Sequence, residues 1–103
     1  MARAWLITRD YLYSSEAGEE YGEIGTVGPS NAPEMLISIL KRGGGITFIM
    51  RDDDGIPYYS GRATWDSDTD PEDGAYGPLG DFGMPNAGCT SIEYPHHPEY
   101  DCG

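Results

Sequence analysis

Ile46-Thr47-Phe48-Ile49-Met50-Arg51, then Asp52-Asp53-Asp54-Gly55, then Ile56-Pro57-Tyr58-Tyr59-Ser60-Gly61-Arg62-Ala63-Thr64-Trp65 is the stretch from which the fold is read. Two runs rich in β-branched and aromatic residues flank an Asp-Gly turn, a strong local signal for an antiparallel hairpin. Pro57 lacks an amide hydrogen and so points to an edge or a bulge near the start of the returning strand. Strand alternation puts one of Tyr58 and Tyr59 on the sheet and the other toward water.

Working back from the hairpin, Gly43-Gly44-Gly45 closes a segment that reads as a helix from about Ala32 to Arg42. Ser30 or Asn31 can cap its first amides, Pro33 is tolerated in the first turn, and Glu34 and Lys41-Arg42 complement the dipole. Met35, Leu36, Ile39 and Leu40 give it an apolar stripe. Ile24, Thr26 and Val27 suit a brief strand, and Ser14 to Glu23 a solvated loop or short hairpin. Residues 3 to 13 read as a strand with Ala4, Leu6 and Thr8 on one parity and Arg3, Trp5, Ile7 and Arg9 on the other. Large apolar residues on both parities predict a central position in the sheet.

Working forward, Asp66-Ser67-Asp68-Thr69-Asp70-Pro71-Glu72-Asp73 is a second acidic run, and the Gly- and Pro-rich chain from Gly74 to Gly88 reads as irregular. Cys89 to Tyr94 is expected to be the last strand, and Pro95 to Gly103 a loosely ordered tail. The expectation is a single α+β domain over residues 1–103: an antiparallel sheet of three to five strands with one helix packed on a face.

Charge sets the limits on function. Eighteen acids against six Lys and Arg give −12, while 38% hydrophobic residues are too many for a disordered acidic tail. An acidic coat on a small core excludes the basic footprint of a nucleic-acid binder or an anionic-membrane binder, and its natural complement is a basic protein surface. The first ten residues lack a signal-peptide h-region, and no run reaches transmembrane length. A cytoplasmic protein with reduced thiols is therefore expected, pairing of Cys89 with Cys102 being the alternative in an oxidising compartment.

The opening Ala4-Trp5-Leu6-Ile7-Thr8, the Asp-Asp-Asp-Gly turn, Tyr58-Tyr59-Ser60-Gly61-Arg62 and Gly77-Pro78-Leu79-Gly80-Asp81-Phe82-Gly83-Met84-Pro85-Asn86-Ala87-Gly88-Cys89-Thr90 carry a resemblance. Together they look like a group of small acidic uncharacterised proteins encoded by bacteria and their phages. The resemblance implies a bacterial or mobile-element setting and brings no catalytic residues with it.

Five kinds of chemistry compete with a purely acidic surface. Asp66, Asp68 and Asp70 match the first half of an EF-hand loop, but Pro71 stands where the turn needs Gly and Gly77 where a bidentate Glu belongs. Cys89, His96, His97 and Cys102 are potential zinc ligands without the usual paired spacing, and a Cys89 nucleophile with a His96 or His97 base lacks an orienting third group. Clustered, solvent-facing carboxylates do not have the distinct environments that acid–base catalysis needs. Gly43-Gly44-Gly45 leads out of a helix and lacks the Lys-Ser/Thr of a phosphate-binding loop. The chain is expected to be no enzyme and to use no cofactor or metal.

What remains is a surface for a partner. If extended, Asp66, Asp68 and Asp70 fall on one face about 6.8 Å apart, comparable to successive phosphates of a nucleic-acid strand. Such a row fits an Arg- and Lys-lined groove built for DNA or RNA. The expected binding residues are Asp52, Asp53, Asp54, Asp66, Asp68, Asp70, Glu72 and Asp73, with Tyr59 as an exposed aromatic anchor. The expected partner is a basic nucleic-acid-binding protein such as a CRISPR effector, and the expected role an inhibitor of anti-CRISPR or other DNA-mimic type. A non-enzymatic accessory domain binding another protein through its aromatics is the alternative, with a metal-binding or catalytic role third.

Overall fold

The computed structural model describes residues 2–11 and 25–103. The expected loop or hairpin over 14–23, Ile24 and the end of the first strand at 12–13 lie outside the described residues. The fold is α+β, with a five-stranded antiparallel sheet in the order β2-β1-β4-β3-β5. Its strands are β1 (Arg3–Asp10), β2 (Thr26–Gly28), β3 (Ile46–Arg51), β4 (Pro57–Trp65) and β5 (Ser91–Glu93). The hairpin of β3 and β4 forms as read, and Pro57 sits at a bulge where pairing steps from Met50↔Tyr59 to Arg51↔Pro57. A second irregularity, at Thr8, separates the pairs Ile7↔Gly61 and Arg9↔Ser60.

β1 lies between β2 and β4, the central place its two apolar parities predict. Ala4 and Leu6 face a small core with Leu36 and Leu40 of helix α1 (Glu34–Lys41). Trp5 and Ile7 face the larger core, with Phe48, Met50, Tyr59, Ala63, Ala75, Leu79, Cys89, Ile92 and Tyr94. Gly61 lies where β1 crosses: a Cβ there would collide with the Leu6 carbonyl oxygen.

Helix α1 departs from expectation in two details. Its N-cap is Pro33, with no side-chain cap, because Ser30 and Asn31 belong to the turn that precedes it, where the Ala32 amide donates to the Pro29 carbonyl. Of the apolar stripe, Leu36 and Leu40 are buried whereas Met35 is 69% exposed, since the single contact with the sheet covers only one side of the helix. The carbonyls at its C-terminal end are met from the sheet: Arg62 of β4 donates from Nη2 to Leu40 O (2.7 Å) and from Nε to Gly44 O (3.1 Å).

The far face of the sheet carries a helix where irregular chain was expected. Helix α2 (Pro71–Pro78) runs into a π-helical turn (Leu79–Gly83) and then α3 (Met84–Ala87), 17 residues without interruption. Asp70 starts it by accepting the Glu72 amide at 3.0 Å, with Pro71 in the first turn. The glycines that argue against a helix in isolation let it lie close to the sheet. A Cβ at Gly74 would strike the Trp65 ring, one at Gly77 the Arg3 side chain, and one at Gly83 the Met50 sulfur. Packing outweighs the propensity cost of about 1 kcal/mol per glycine.

Residues 95–103, read as a loose tail, form a short 3-10 turn (Pro98–Tyr100) and return to the sheet, where Cys102 bridges to Ile92 on the outer side of β5. Tyr100 packs edge-on against Trp65 with ring centroids 5.5 Å apart, and Asp101 accepts the Tyr94 amide. The Tyr94 hydroxyl, inside the core, donates to Ala75 O at 2.6 Å and ties β5 to α2. No helix among the described residues is long and apolar enough to cross a membrane.

Candidate functional site

The Asp52–Gly55 turn is held by its first residue. Asp52 Oδ1 accepts the amides of Asp54 (2.9 Å) and Ile56 (2.8 Å), and Gly55 supplies the positive φ of 79° that the turn needs. These bonds, that of Ile56 first, hold the Asp52 carboxyl below the ordinary aspartate value. Arg51 braces the turn from below, donating to Gly55 O and to Glu93 Oε1. Asp53 and Asp54 are left exposed at the tip.

The second acidic run is a turn followed by a helix start, so the expected extended row of Asp66, Asp68 and Asp70 does not form. Thr69 is the reason. Its buried hydroxyl accepts the Ala2 amide (2.8 Å) and shares its one proton between Ala2 O (2.9 Å) and Asp66 Oδ1 (2.6 Å), folding the chain back on itself. The hydroxyl bond is the main cause of a lowered Asp66 pKa. Asp66 and Asp70 thus carry local structure, one on Thr69 and the other as the helix cap. Asp68, Glu72 and Asp73 are exposed, with Glu72 and Asp73 on the first turn of α2, where the helix dipole favours them.

The two acidic groups do not lie side by side. Nine residues of β4 separate them, so they occupy opposite ends of a strand about 30 Å long. Tyr59, expected as the exposed anchor between them, is only 5% exposed and packs on Phe82 with ring centroids 4.8 Å apart. Strand alternation left Tyr58 or Tyr59 open; the larger core takes Tyr59, and Tyr58 is half-buried at the hairpin.

Two features near the second acidic group have no counterpart in the sequence expectations. Asp81, in the π-helical turn, accepts Arg3 Nη2 at 2.8 Å on one oxygen and both Arg3 Nε (3.0 Å) and Trp5 Nε1 (3.2 Å) on the other. This fork fastens the helix to β1. Tyr76 and Met84, 40% and 41% exposed, stand on the outer side of the same helix. Asp70-Pro71-Glu72-Asp73, an N-cap, a proline and two first-turn acids, is the helix-start signal that would have revealed both.

Acidic and basic side chains differ in how they are engaged. Arg3, Arg51 and Arg62 are committed to Asp81, Glu93 and backbone carbonyls, whereas Asp53, Asp54, Asp68, Asp70, Glu72 and Asp73 face water. Among the described residues no three His, Cys, Asp or Glu side chains are placed to hold a metal ion. Both cysteines are free: Cys89 is buried, which pushes its thiol up to about 11, and Cys102 is exposed. A cleft of about 270 Å³ between β5 and the tail is lined by Arg51, Ser91, Glu93, Asp101 and Cys102, away from the acids of the α2 end. Compared with protein-family models, curated proteins and solved structures, the chain matches none.

Proposed function

We propose that this protein is a small acidic inhibitor, of phage or mobile-element origin, that acts in the bacterial cytoplasm by covering the nucleic-acid-binding surface of a basic protein. A CRISPR effector is one partner of that kind. The observation that carries the proposal is the sorting of charge. Arg3, Arg51 and Arg62, half of the basic side chains, are engaged by Asp81, Glu93 and backbone carbonyls, Lys41 and Arg42 sit at the end of α1, and the carboxylates at both ends of β4 stay open to solvent. A surface of that sign steers a cationic partner and repels nucleic acid.

The mimicry works through two separated acidic ends instead of one evenly spaced row. A groove lined with Lys and Arg over about 30 Å would meet both ends at once; a shorter one would use the α2 end alone. The test is affinity capture from a bacterial lysate at low and high salt, followed by competition between this protein and nucleic acid for whatever is captured. Capture that persists unchanged at high salt, and leaves nucleic-acid binding intact, would favour the accessory-domain alternative, in which aromatic contacts dominate.

A further inference from the structure

We propose that Asp54–Gly55 is a site of spontaneous backbone modification, at which Asp54 passes through a cyclic imide to an isoaspartyl residue. The fold protects the chain's other Asp-Gly pair, Asp73–Gly74, from the same reaction.

The chemistry is internal to the chain. The Gly55 amide nitrogen bonds to the side-chain carbonyl carbon of Asp54, the carboxyl hydroxyl leaves with the amide proton as water, and a five-membered imide closes. Water then adds to one of the two imide carbonyls. At the side-chain carbon it restores aspartate; at the main-chain carbon it leaves the backbone running through the side chain, beside a free α-carboxylate. One water is lost and one regained, with no change of oxidation state. A following glycine favours the closure because it has no Cβ to crowd the attacking nitrogen and has the freest backbone.

The two Asp-Gly pairs are alike in sequence and differ in their surroundings. Asp54 and Gly55 are exposed at the hairpin tip, and the Asp54 side chain makes no hydrogen bond or ion pair among the described residues. Beyond the adjoining residues, no atom lies within 4 Å of where a Gly55 Cβ would stand. The Gly55 amide donates to Asp52 O at 3.0 Å, a bond of the turn itself that opens without disturbing the sheet. The Gly74 amide donates to Asp70 O, also at 3.0 Å, but within the first turn of α2, where Gly74 is buried. A Cβ there would lie 2.5 Å from Trp65 Cδ2, so the backbone is pressed on the indole and has no space to pucker. Freeing that nitrogen means lifting the helix from β4.

The product changes the shape of the tip and keeps its charge. The extra backbone atom enters between the amides of Asp54 and Ile56, which Asp52 Oδ1 gathers at 2.9 and 2.8 Å, and so pulls apart the pair on which the turn closes. The new α-carboxylate stands exposed, as a substrate for a carboxyl methyltransferase that recognises isoaspartate.

Ageing the native protein in warm, mildly acidic buffer tests the assignment, with peptide mapping by electron-transfer fragmentation to distinguish the two isomers at each position. Isoaspartate is expected to accumulate at 54 and to form at 73 at least about tenfold more slowly, the rates converging once urea unfolds the chain. Asp54→Glu, whose imide would need a strained-slow six-membered closure, keeps the charge and should abolish the signal at 54. In ¹⁵N spectra of the aged protein the displaced amides should be those of 52–56. No isoaspartate at 54 over a period in which the urea-unfolded chain forms it would overturn the proposal. Native rates at 54 and 73 within about twofold of each other would do the same, since the fold would then not discriminate between them.

Discussion

Asp81→Ala removes one carboxylate on which two elements converge, and its cost can be built from the contacts. The side chain accepts a two-pronged bond from Arg3 and a third bond from the Trp5 indole. The Arg3 side chain is 40% exposed, so water recovers most of what its guanidinium loses and that part is worth no more than about 1 kcal/mol. Trp5 is 4% exposed, and its N–H, left without an acceptor, costs about 1–3 kcal/mol. The sum is about 2–3 kcal/mol, equivalent to a fall in Tm of roughly 10–15 °C for a domain of this size. Urea and thermal unfolding followed by circular dichroism and tryptophan fluorescence measure it. Because the Trp5 bond dominates, most of the loss should persist in 1 M salt, and Arg3→Ala alone should cost less than half as much. A folded Asp81→Ala protein with Tm within about 2 °C of wild type would refute the assignment of Asp81 as the fastener of the helix.

Two further predictions concern groups that the sequence singled out for other roles. Asp52 and Asp66 have carboxyls depressed by the Ile56 amide and the Thr69 hydroxyl respectively, so the stability they contribute is present above the unfolded aspartate value and is lost as pH falls through their lower folded values. In an NMR titration their side-chain carboxyl carbons should therefore turn over below 3.8; midpoints at or above that value would contradict the hydrogen bonds described here. Cys102 should react with a thiol reagent at pH 8 in the native protein while Cys89, buried and pushed up to about 11, reacts only on unfolding. Equal rates for both would show that Cys89 is not in the core.

The sheet was legible because its signals are local and agree with one another. The Asp-Gly turn, the β-rich flanks, the two apolar parities of β1 and the Gly-terminated helix each point the same way. Helix 71–87 was not legible, because its evidence conflicts. Three prolines and four glycines in 17 residues argue against a helix, and what favours one is tertiary: room for Trp65, Arg3 and Met50 against a bare backbone. The candidate site suffered for the same reason. Once residues 71–87 are taken as irregular, Asp66–Asp73 has nothing to fold it and reads as an extended row, Asp81 has no partner, and Tyr76 and Met84 have no common face. Tyr59 was misplaced because alternation fixes the parity of a strand only up to the choice of face, and the choice here is made by Phe82.

The central claim is that carboxylates at the two ends of β4 occupy a surface meant for nucleic acid, and competition on a captured partner tests it most directly. Labelled nucleic acid bound to the partner should be released by this protein, with an apparent Kd that rises steeply with salt. Asp53→Asn/Asp54→Asn and Asp68→Asn/Glu72→Gln/Asp73→Asn, which spare the structural roles of Asp52, Asp66 and Asp70, should each weaken release. A ternary complex in which the partner holds both this protein and its nucleic acid, at affinities insensitive to salt and to both sets of substitutions, would contradict it.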